Sequence, residues 1–171
     1  IIAVHLEAGN ACVQVYFIRS GQNWGNKDYY PKVGTDLSNS EILQAFLGQF
    51  YLNRESARLI LLSHDMENKT LMQKLLSEKL QQSVKIITPK KGEKRDLVLD
   101  VLRNANESLV RKMAENATQL TMLNATTKAL GLEKRLNRIE VYDNSHIQGS
   151  HAVGAMIVSG PEGFMRSEYR K

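Results

Sequence analysis

The chain opens with apolar and polar residues that alternate in the manner of β-strands. Three consecutive segments predict strands, because Val, Ile, Tyr and Phe are frequent in them and glycine-containing turns separate them. The segments are 1–6, 11–21 and 23–31, and Pro31 ends the third. A three-strand meander is therefore expected to open the fold.

Helical periodicity replaces this alternation at Ser38. Apolar residues then recur three or four positions apart, and Ser38 forms a capping-box pattern with Glu41. This first helix has an apolar face of Ile42, Leu43, Phe46, Leu47 and Phe50. The continuously apolar run 57–63 is typical of a strand buried in a parallel sheet, and 84–89 predicts another strand. The helix between these two strands is expected to bury Leu71, Met72, Leu75, Leu76 and Leu80.

Residues 93–130 form one long helical pattern, and Gly131 is its natural end. The apolar positions of this helix are Val98, Leu102, Ala105, Leu109, Met113, Ala117, Leu120 and Leu123. After a polar connector, the segments 138–143, 151–160 and 163–171 predict a second set of three strands. Its order of strand, glycine turn and longer apolar strand resembles the first set, which indicates a tandem of two related openings.

The two sets differ where their first strands end. The second set has Asp143 there, whereas the first has His5 and Leu6, with Glu7 displaced into the turn. A meander followed by mixed α/β structure, with an acid on the first strand, suggests an RNase H-like nuclease. The predicted fold class is α/β: an RNase H-like mixed sheet with helices, plus the opening three-stranded meander of a second RNase H-like domain. The predicted domains are a degenerate RNase H-like domain, a long helix with its connector, and the first strands of an RNase H-like endonuclease domain, at 1–92, 93–137 and 138–171.

Composition and charge set few limits on function. Hydrophobic residues make up 42% of the 171 residues and charged residues 24%, which is ordinary for a globular protein. No apolar run in the sequence approaches the roughly 20 residues that span a bilayer, so no membrane association is expected. The single cysteine, Cys12, is predicted to lie in the core, and it excludes an internal disulfide and fits a cytoplasmic protein. The net charge of +5 permits a polyanionic partner without requiring one.

The two ends of the sequence suggest a piece of a longer protein. The chain opens with Ile1 rather than Met, and residues 167–171 have the character of an unfinished strand. We therefore expect a fragment cut at both ends.

The predicted chemistry depends on Asp143. In two-metal nucleases several carboxylates converge on ions about 3.5–4 Å apart, which stabilise the attacking and leaving oxygens. Hard oxygen ligands of this kind suit Mg²⁺ or Mn²⁺. Aspartate followed by Asn and Ser is also common in turns, so a site and a turn both remain open for Asp143. His146 could contact phosphate or Asp143, or be a structural turn residue, and Gly149 serves backbone geometry.

The residues around Asp143 resemble those of a known family. The pattern consists of Tyr142-Asp143, Ser145-His146, Gly149, an apolar strand, a glycine turn and Glu168-Tyr169-Arg170-Lys171. It is similar to the opening of the nuclease domain in the C-terminal half of the UvrC family, the incision subunits of the bacterial UvrABC excinuclease. Asn144 and Ile147 stand where an apolar residue and Thr are commoner. The segments that resemble the region preceding that domain are 11–31, 41–51, 89–97 and 103–109, so the resemblance spans the whole chain.

The resemblance implies that Asp143 is the first metal-binding carboxylate of the nuclease that cuts 5′ of a DNA lesion, with Mg²⁺ or Mn²⁺ as cofactor. The implied partners are damaged double-stranded DNA and UvrB in a UvrB–DNA complex. The family's other catalytic acids, a further histidine and a helix-hairpin-helix module lie downstream of the residues matched here. A GIY-YIG nuclease for the 3′ cut and the UvrB-binding segment lie upstream. We therefore expect the chain alone to make no incision.

Basic residues are the candidates for nucleic-acid binding. A cluster surrounds Gly92 at the start of the long helix, where cations are unfavourable for the helix dipole and so need another reason. The cluster consists of Lys90, Lys91, Lys94 and Arg95. Contact with DNA phosphate and a plain solvated loop are both open interpretations of it. Weaker candidates on the same argument are Arg166, Arg170 and Lys171.

Aromatic and acidic residues of the first domain have less decided roles. Trp24 and the pair Tyr29-Tyr30 could stack on bases, but their strand spacing favours packing. Asp65 could form a vestigial site with Glu7, although Asp65 also suits a helix N-terminus. The rival to an enzyme is a non-catalytic module, in which both meanders are scaffold that docks DNA or UvrB.

Overall fold

A computed structural model describes residues 1–34, 36–147 and 150–171 of the chain. It divides into two compact units, Ile1–Val110 and Arg111–Lys171. An antiparallel meander opens the sheet of each unit, so the predicted tandem of two three-strand openings is confirmed. Among the residues described, no helix is long and apolar enough to cross a membrane.

The meander of the first unit consists of β1 (Ile2–Glu7), β2 (Asn10–Arg19) and β3 (Gln22–Tyr29). β1 and β3 both pair antiparallel with β2, which lies between them. Glu7 is the last residue of β1 and pairs with Asn10, so its predicted displacement into the turn is wrong. The turn itself needs only Ala8 and Gly9, because both adopt the positive φ that closes a two-residue hairpin.

Two short parallel strands complete this sheet. β4 (Leu59–Leu61) pairs with β5 (Lys85–Ile87), and a parallel bridge between Ile2 and Leu62 sets β4 beside β1. The order is therefore β3-β2-β1-β4-β5, with β2 alone running against the others. This arrangement confirms the predicted mixed α/β fold. It also brings the carboxyl ends of β1, β4 and β5 to one edge, which is where open α/β sheets bind ligands.

Helix α1 (Asn39–Phe50) begins with the predicted capping box. The Glu41 N–H donates to Ser38 Oγ at 3.3 Å, and the Glu41 carboxylate accepts from the Ser38 N–H at 2.8 Å. These two bonds satisfy donors that a helix start would otherwise leave open. The core on this side of the sheet includes Ile2, Val4, Val13, Val15, Ile42, Leu43, Leu47, Ile60, Leu62, Val84 and Ile86.

Helix α2 (Lys69–Leu80) corrects one sequence prediction. Leu76 is buried, and Met72 and Leu80 pack against the core, but Leu71 and Leu75 are 57% and 51% exposed. Leu71 and Leu75 are exposed because the polar side chains of the helix face the edge strand β5. The main-chain N–H of Ile86 donates to Gln73 Oε1 at 2.9 Å, and that of Val84 donates to Ser77 Oγ at 2.9 Å. Rotating the helix to satisfy these N–H groups leaves Leu71 and Leu75 facing solvent.

Helix α3 (Glu93–Ala129) covers the second face of the first sheet with its opening turns. The Asn104 side chain donates to the Tyr16 hydroxyl at 2.6 Å, and the Tyr30 hydroxyl donates to the Ser108 carbonyl at 3.3 Å. Cys12 lies fully buried on this face of β2, which confirms its predicted place in the core. The buried positions of this part of the helix are Val98, Val101, Ala105, Ser108 and Leu109.

The end of α3 follows the prediction closely. Gly131 has a φ of 63°, its N–H donates to the Lys128 carbonyl, and the Leu132 N–H donates to the Thr127 carbonyl. This pair of bonds is a Schellman motif, in which glycine accepts the left-handed conformation without strain. In the second unit Leu123 is buried as predicted, whereas Ala117 is exposed and not on a buried face.

The second unit contains β6 (Ile139–Ile147), β7 (Ser150–Gly160) and β8 (Gly163–Phe164), paired antiparallel in that order. The predicted third strand over 163–171 is largely wrong, and so is the unfinished strand at 167–171. After Phe164 the Met165 N–H still donates to the Val158 carbonyl of β7, the chain then forms a 3₁₀ turn at Arg166–Glu168, and a bridge pairs Arg170 with Met156 of β7. Local bonds take the place of ladder bonds there, since the Glu168 N–H donates to the Met165 carbonyl at 2.9 Å.

Candidate metal and nucleic-acid sites

Asp143 lies in the middle of β6 and not at its end. It is paired with Ala155 of β7, and the strand continues for four residues to Ile147. The alternative that Asp143 caps a turn is therefore wrong. Its side chain is exposed, so the carboxylate is open to a ligand from the solvent side.

The surroundings of Asp143 are largely apolar, with Ser145 as a polar neighbour on the same face. Strand alternation and register place Val141, Val153 and Ile157 on the same face as Asp143, and these three side chains are 51%, 46% and 38% exposed. Among the described strands, β6 pairs with β7 alone, so the strand that bears the acid has one open edge. An exposed carboxylate is thus set in a largely apolar surface beside an open sheet edge.

Asp143 provides the type of ligand atom that a hard divalent cation prefers, but the described residues provide too few such ligands to form a complete site. A carboxylate oxygen suits Mg²⁺ or Mn²⁺. Within 1–34, 36–147 and 150–171, however, no three His, Cys, Asp or Glu side chains group closely enough to hold a metal ion. Asp143 can therefore act as one ligand of a larger site, and the described residues alone support no catalytic step.

His146 is also a strand residue, contrary to its interpretation as a turn residue. It is exposed and lies where the register between β6 and β7 shifts, between Ser145 and Ile147. Asp143 lies in the regularly paired part of β6, opposite Ala155, whereas His146 lies at the irregularity, so the two predicted site residues occupy different parts of the strand. Gly149 lies outside the described residues.

Glu168, the first residue of the motif at 168–171, takes part in a network of ion pairs and hydrogen bonds in the second unit. Arg138 forms ion pairs with both Glu140 and Glu168, and the Tyr142 hydroxyl donates to the Glu140 carboxylate. The hydrogen bonds from Tyr142 and Arg138 lower the pKa of Glu140. Because this network starts beside Asp143 and ends at Glu168, it connects the two halves of the sequence pattern that carried the resemblance.

The three weaker nucleic-acid candidates occupy different positions at the end of the second unit. Arg166 opens the 3₁₀ turn and is exposed. The Arg170 guanidinium donates to the Tyr169 carbonyl at 2.8 Å, so part of its donor capacity is used within its own chain. Lys171 is exposed and lines a shallow groove with Tyr142, on the face of the sheet opposite Asp143.

The basic cluster at the start of α3 is well placed to contact an anion. Gly92 caps the helix, because its carbonyl accepts from the Arg95 N–H at 2.7 Å, and its φ of 75° turns the chain into α3. The exposed residues are Lys90, Lys91 and Lys94, and Arg95 is half-buried. In the part of the chain that the structure describes, no ion pair joins any of these four cations to a carboxylate. Two acids, Glu93 and Asp96, occupy the first turn and suit the helix dipole.

Sequence reasoning missed His64, which lies three positions after the last residue of β4. Its Nδ1 lies 2.9 Å from Ser63 Oγ, and its Nε2 lies 3.3 Å from Asn39 Nδ2. Burial lowers the pKa of His64 below its ordinary value of 6.5, and the nearby charges of Arg95 and His5 lower it further. The sequence could have indicated this position, because a residue that follows a parallel strand lies at the edge where α/β sheets place functional groups.

The structure does not bring Asp65 and Glu7 together as a metal site. The Asp65 carboxylate accepts from Lys69 Nζ at 2.6 Å, an ion pair that lowers the pKa of Asp65. Glu7 instead lies 3.7 Å from the ring of His5. The suggested role of Asp65 at a helix N-terminus is also wrong, because α2 begins at Lys69 with Asn68 as its N-cap.

The aromatic candidates separate into two groups. Tyr29 packs edge-on against Phe46 and Phe50, with ring centroids 5.1 and 5.8 Å away, so packing is confirmed for it. Tyr30 is tied to α3 through its hydroxyl. Trp24 is 66% exposed, so the interpretation of Trp24 as a packing residue is wrong.

Comparison with known protein families finds a match for each of the two units. The family description "UvrC Ribonuclease H-like domain" matches residues 1–112, and "UvrC RNAse H endonuclease domain" matches residues 127–171. This chain belongs to the UvrC family. The resemblance carried by Asp143 and Glu168 is thereby confirmed at the level of the family.

Curated relatives of the UvrC family align along the whole chain. Proteins named UvrABC system protein C from Ruegeria sp. (strain TM1040), Ruegeria pomeroyi and Rhodopseudomonas palustris (strain HaA2) are 57%, 56% and 50% identical over 171 residues. Each alignment covers 100% of this chain, but only 27%, 27% and 25% of the relative. The chain thus spans about a quarter of the length of these relatives. No solved structure matches it.

Proposed function

We propose that this chain is part of a UvrC-type excision nuclease, and that its second unit contributes Asp143 to the 5′ incision beside a DNA lesion. The observation that carries the proposal is the position of Asp143, exposed and fixed at mid-strand within the segment that matches the UvrC endonuclease domain. The reaction is hydrolysis of a DNA phosphodiester, in which water attacks phosphorus and the 3′ oxygen of the neighbouring nucleotide leaves.

Asp143 supplies an oxygen ligand at a fixed place. When bound, a divalent cation such as Mg²⁺ or Mn²⁺ stabilises the attacking and leaving oxygens of the reaction. Pairing with β7 on one side holds the backbone of β6, so the carboxylate is positioned by the sheet and not by a mobile loop. Val141 and Val153 flank Asp143 with apolar surface, which excludes water from the carboxylate once DNA or protein covers this face. His146 remains a proposed supporting residue through contact with phosphate.

The first unit is proposed to be a non-catalytic RNase H-like domain that contacts DNA. Its sheet places His64 and the Asp65–Lys69 ion pair, and no group of acids among the described residues, at the edge where β1 and β4 end. The neighbouring basic cluster of Lys90, Lys91, Lys94 and Arg95 then supplies phosphate contacts, with Arg166, Arg170 and Lys171 as further contacts in the second unit. The proposed domains are 1–92, 93–137 and 138–171.

The proposed partners follow from the UvrABC system to which the relatives belong by name. They are damaged double-stranded DNA and UvrB, met together as a UvrB–DNA complex. A cytoplasmic location is part of the same proposal. The 171-residue chain is proposed to make no incision by itself, because its described residues bring one carboxylate to a reaction that needs several.

The incision reaction itself tests the proposal. In a full-length UvrC-family protein that carries this sequence, Asp143→Asn should lower the rate of the 5′ cut by about 100-fold or more, since a metal-bound transition state is worth several kcal/mol. The 3′ cut should persist, which shows that the variant still assembles on the lesion. The matched control is Asp100→Asn, another exposed acid, which should leave both cuts unchanged.

The opposite result would support the scaffold alternative. If Asp143→Asn keeps the 5′ cut at its normal rate, Asp143 is not a ligand of the reaction. A loss of binding to the UvrB–DNA complex with an intact rate of cutting, once bound, would assign this unit to docking.

A further inference from the structure

The β2–β3 hairpin extends beyond the rest of the first sheet. β1 pairs with β2 from Asn10 to Val15, and Ile1 bonds to both main-chain groups of Tyr16, so β2 beyond Tyr16 pairs with β3 alone. We call residues 17–26 the β2–β3 ribbon. A two-stranded ribbon without a neighbouring strand has no layer of the sheet to support it, and its side chains are free to meet a partner.

A β-bulge in this ribbon directs Trp24 outwards. Tyr16 pairs with Asn26 and Ile18 with Asn23, so Trp24 and Gly25 together lie opposite a single residue of β2. The bulge needs glycine, because Gly25 has a φ of 119°, and its N–H donates to Asn23 Oδ1 at 2.8 Å. Bulges of this kind re-aim side chains and are features that proteins keep for a purpose.

The ribbon presents aromatic and apolar side chains to solvent. Trp24 is 66% exposed, and Phe17 and Ile18 are 38% and 43% exposed. Trp24 is also the sole tryptophan among the 171 residues. The Arg19 guanidinium lies 5.3 Å from the centre of the Trp24 ring, in a cation–π contact. A large ring held open to solvent beside a cation offers a stacking surface.

The charge of the ribbon selects an anionic partner. Between Glu7 and Asp28 the sequence has no carboxylate, while Arg19 in the ribbon and Lys27 directly after it are cationic. Exposed aromatic rings interleaved with cations, on a segment without acids, match the combination by which proteins bind unpaired nucleic acid. The rings stack on bases, and the cations approach the phosphates.

We propose that the β2–β3 ribbon binds an unpaired or unstacked base of DNA, with Trp24 stacking on the base and Arg19 reaching the adjacent phosphate. The inference rests on the DNA-binding part of the proposed function and adds a second contact, distinct from the basic cluster at the start of α3. A helix distorted by a lesion exposes bases of this kind at the lowest energetic cost.

The fluorescence of the sole tryptophan tests the ribbon directly. The 171-residue chain is titrated with single-stranded oligo-dT of about 12 nucleotides, and in parallel with an abasic oligonucleotide of the same length and charge. Stacking should quench Trp24 with oligo-dT but not with the abasic strand, since only the former offers a ring. A duplex with an unpaired bubble should also quench Trp24 more than a fully paired duplex does.

Variants separate stacking from charge. Trp24→Ala should lower the affinity for oligo-dT by about 5- to 140-fold, the range that corresponds to loss of one stacked base, and leave the affinity for the abasic strand unchanged. Trp24→Phe should restore most of the lost affinity. The matched control is Phe164→Ala, because Phe164 is equally exposed at 66% but lies in the other unit.

Two outcomes would overturn the inference in distinguishable ways. If DNA binds but neither quenches Trp24 nor loses affinity on Trp24→Ala, the ribbon does not stack on bases, while DNA binding through the basic cluster stands. Base stacking by the ribbon is likewise excluded if the fluorescence of Trp24 changes only on addition of a protein partner such as UvrB. If no oligonucleotide binds at all, the DNA-binding part of the proposed function fails together with the ribbon.

Discussion

The N–H of Val4 in β1 donates a 3.1 Å hydrogen bond to the hydroxyl of Ser63, which follows β4. The bond is buried, and it continues the junction between the two strands begun by the bridge from Ile2 to Leu62. Because Ser63 Oγ accepts from Val4, its own hydrogen is available to His64 Nδ1, 2.9 Å away. One hydroxyl thus joins the meander, the parallel strands and the histidine at the edge of the sheet.

Removal of this hydroxyl should destabilise the first unit. Ser63→Ala leaves the buried N–H of Val4 without an acceptor, at a cost of about 1–3 kcal/mol in the free energy of unfolding. Urea unfolding followed by circular dichroism measures the change. The control is Ser83→Ala, an exposed serine in the same unit, which should shift stability by less than about 0.5 kcal/mol. An equal effect of the two variants would contradict the role assigned to Ser63.

The histidine at this junction should make stability depend on pH. If Ser63 donates to Nδ1, His64 is neutral and carries its proton on Nε2. Asn39 Oδ1 is buried without a hydrogen-bond partner among the described residues, and turning the amide would let it accept from Nε2. Protonation at Nδ1 would break the bond from Ser63, and it would add a charge near Arg95 and His5.

The sign of this dependence follows from the lowered pKa of His64. The folded state favours the neutral ring, so the contribution to stability is complete above pH 6.5 and is lost as pH falls through the lower folded-state pKa. Unfolding measured in urea between about pH 8 and pH 5 should show this decline. His64→Gln should flatten it, whereas a variant with an unchanged slope would show that another group is responsible.

The basic cluster should control the salt dependence of DNA binding. Each duplex phosphate that a cation neutralises contributes about −0.9 to the slope of log K against log salt concentration. Replacing the four cations Lys90, Lys91, Lys94 and Arg95 by Gln should lower affinity and flatten this slope by about 0.9 for each phosphate that is no longer neutralised. Filter binding or fluorescence anisotropy across a salt series measures both quantities.

The control for this experiment removes the same charge elsewhere. The exposed residues Lys74, Lys85, Lys128 and Lys134 are changed to Gln, which keeps net charge equal in the two variants. If both variants show the same decrease in affinity and slope, only net charge matters, and the cluster is a solvated loop without a specific role in binding.

Features with local causes were predictable from the sequence. The capping box of Ser38 and Glu41 involves neighbours in the chain, and Gly131 ends α3 through its own conformation. The alternation of β1 and β2 likewise depends on successive residues. These elements were confirmed because short-range patterns determine them.

Features with distant causes were not predictable. Leu71 and Leu75 face solvent because Gln73 and Ser77 are needed at β5, which no periodicity within α2 reveals. The 3₁₀ turn before Arg170 accompanies an ion pair between Arg138 and Glu168, thirty positions apart.

The candidate site was predicted in part. The polar run after Asp143 looked like a turn, yet pairing with β7 keeps it in a strand. The exposure of Trp24 depends on a bulge at Gly25, for which the sequence offered only a glycine. His64 could have been found from its position after β4, but its bond to Ser63 required the fold.

The central claim is that Asp143 binds the metal ion of the incision reaction, and a change of ligand chemistry tests it most directly. In the full-length protein with UvrB and a lesion-containing duplex, Asp143→Cys should abolish the 5′ cut in Mg²⁺. A thiolate is a poor ligand for this hard ion and a better one for softer transition metals, so Mn²⁺ should restore part of the activity. Asp143→Ala offers no ligand and should be rescued by neither ion. Equal 5′ cutting by all three proteins in Mg²⁺, or equal rescue of the Cys and Ala variants by Mn²⁺, would contradict the claim.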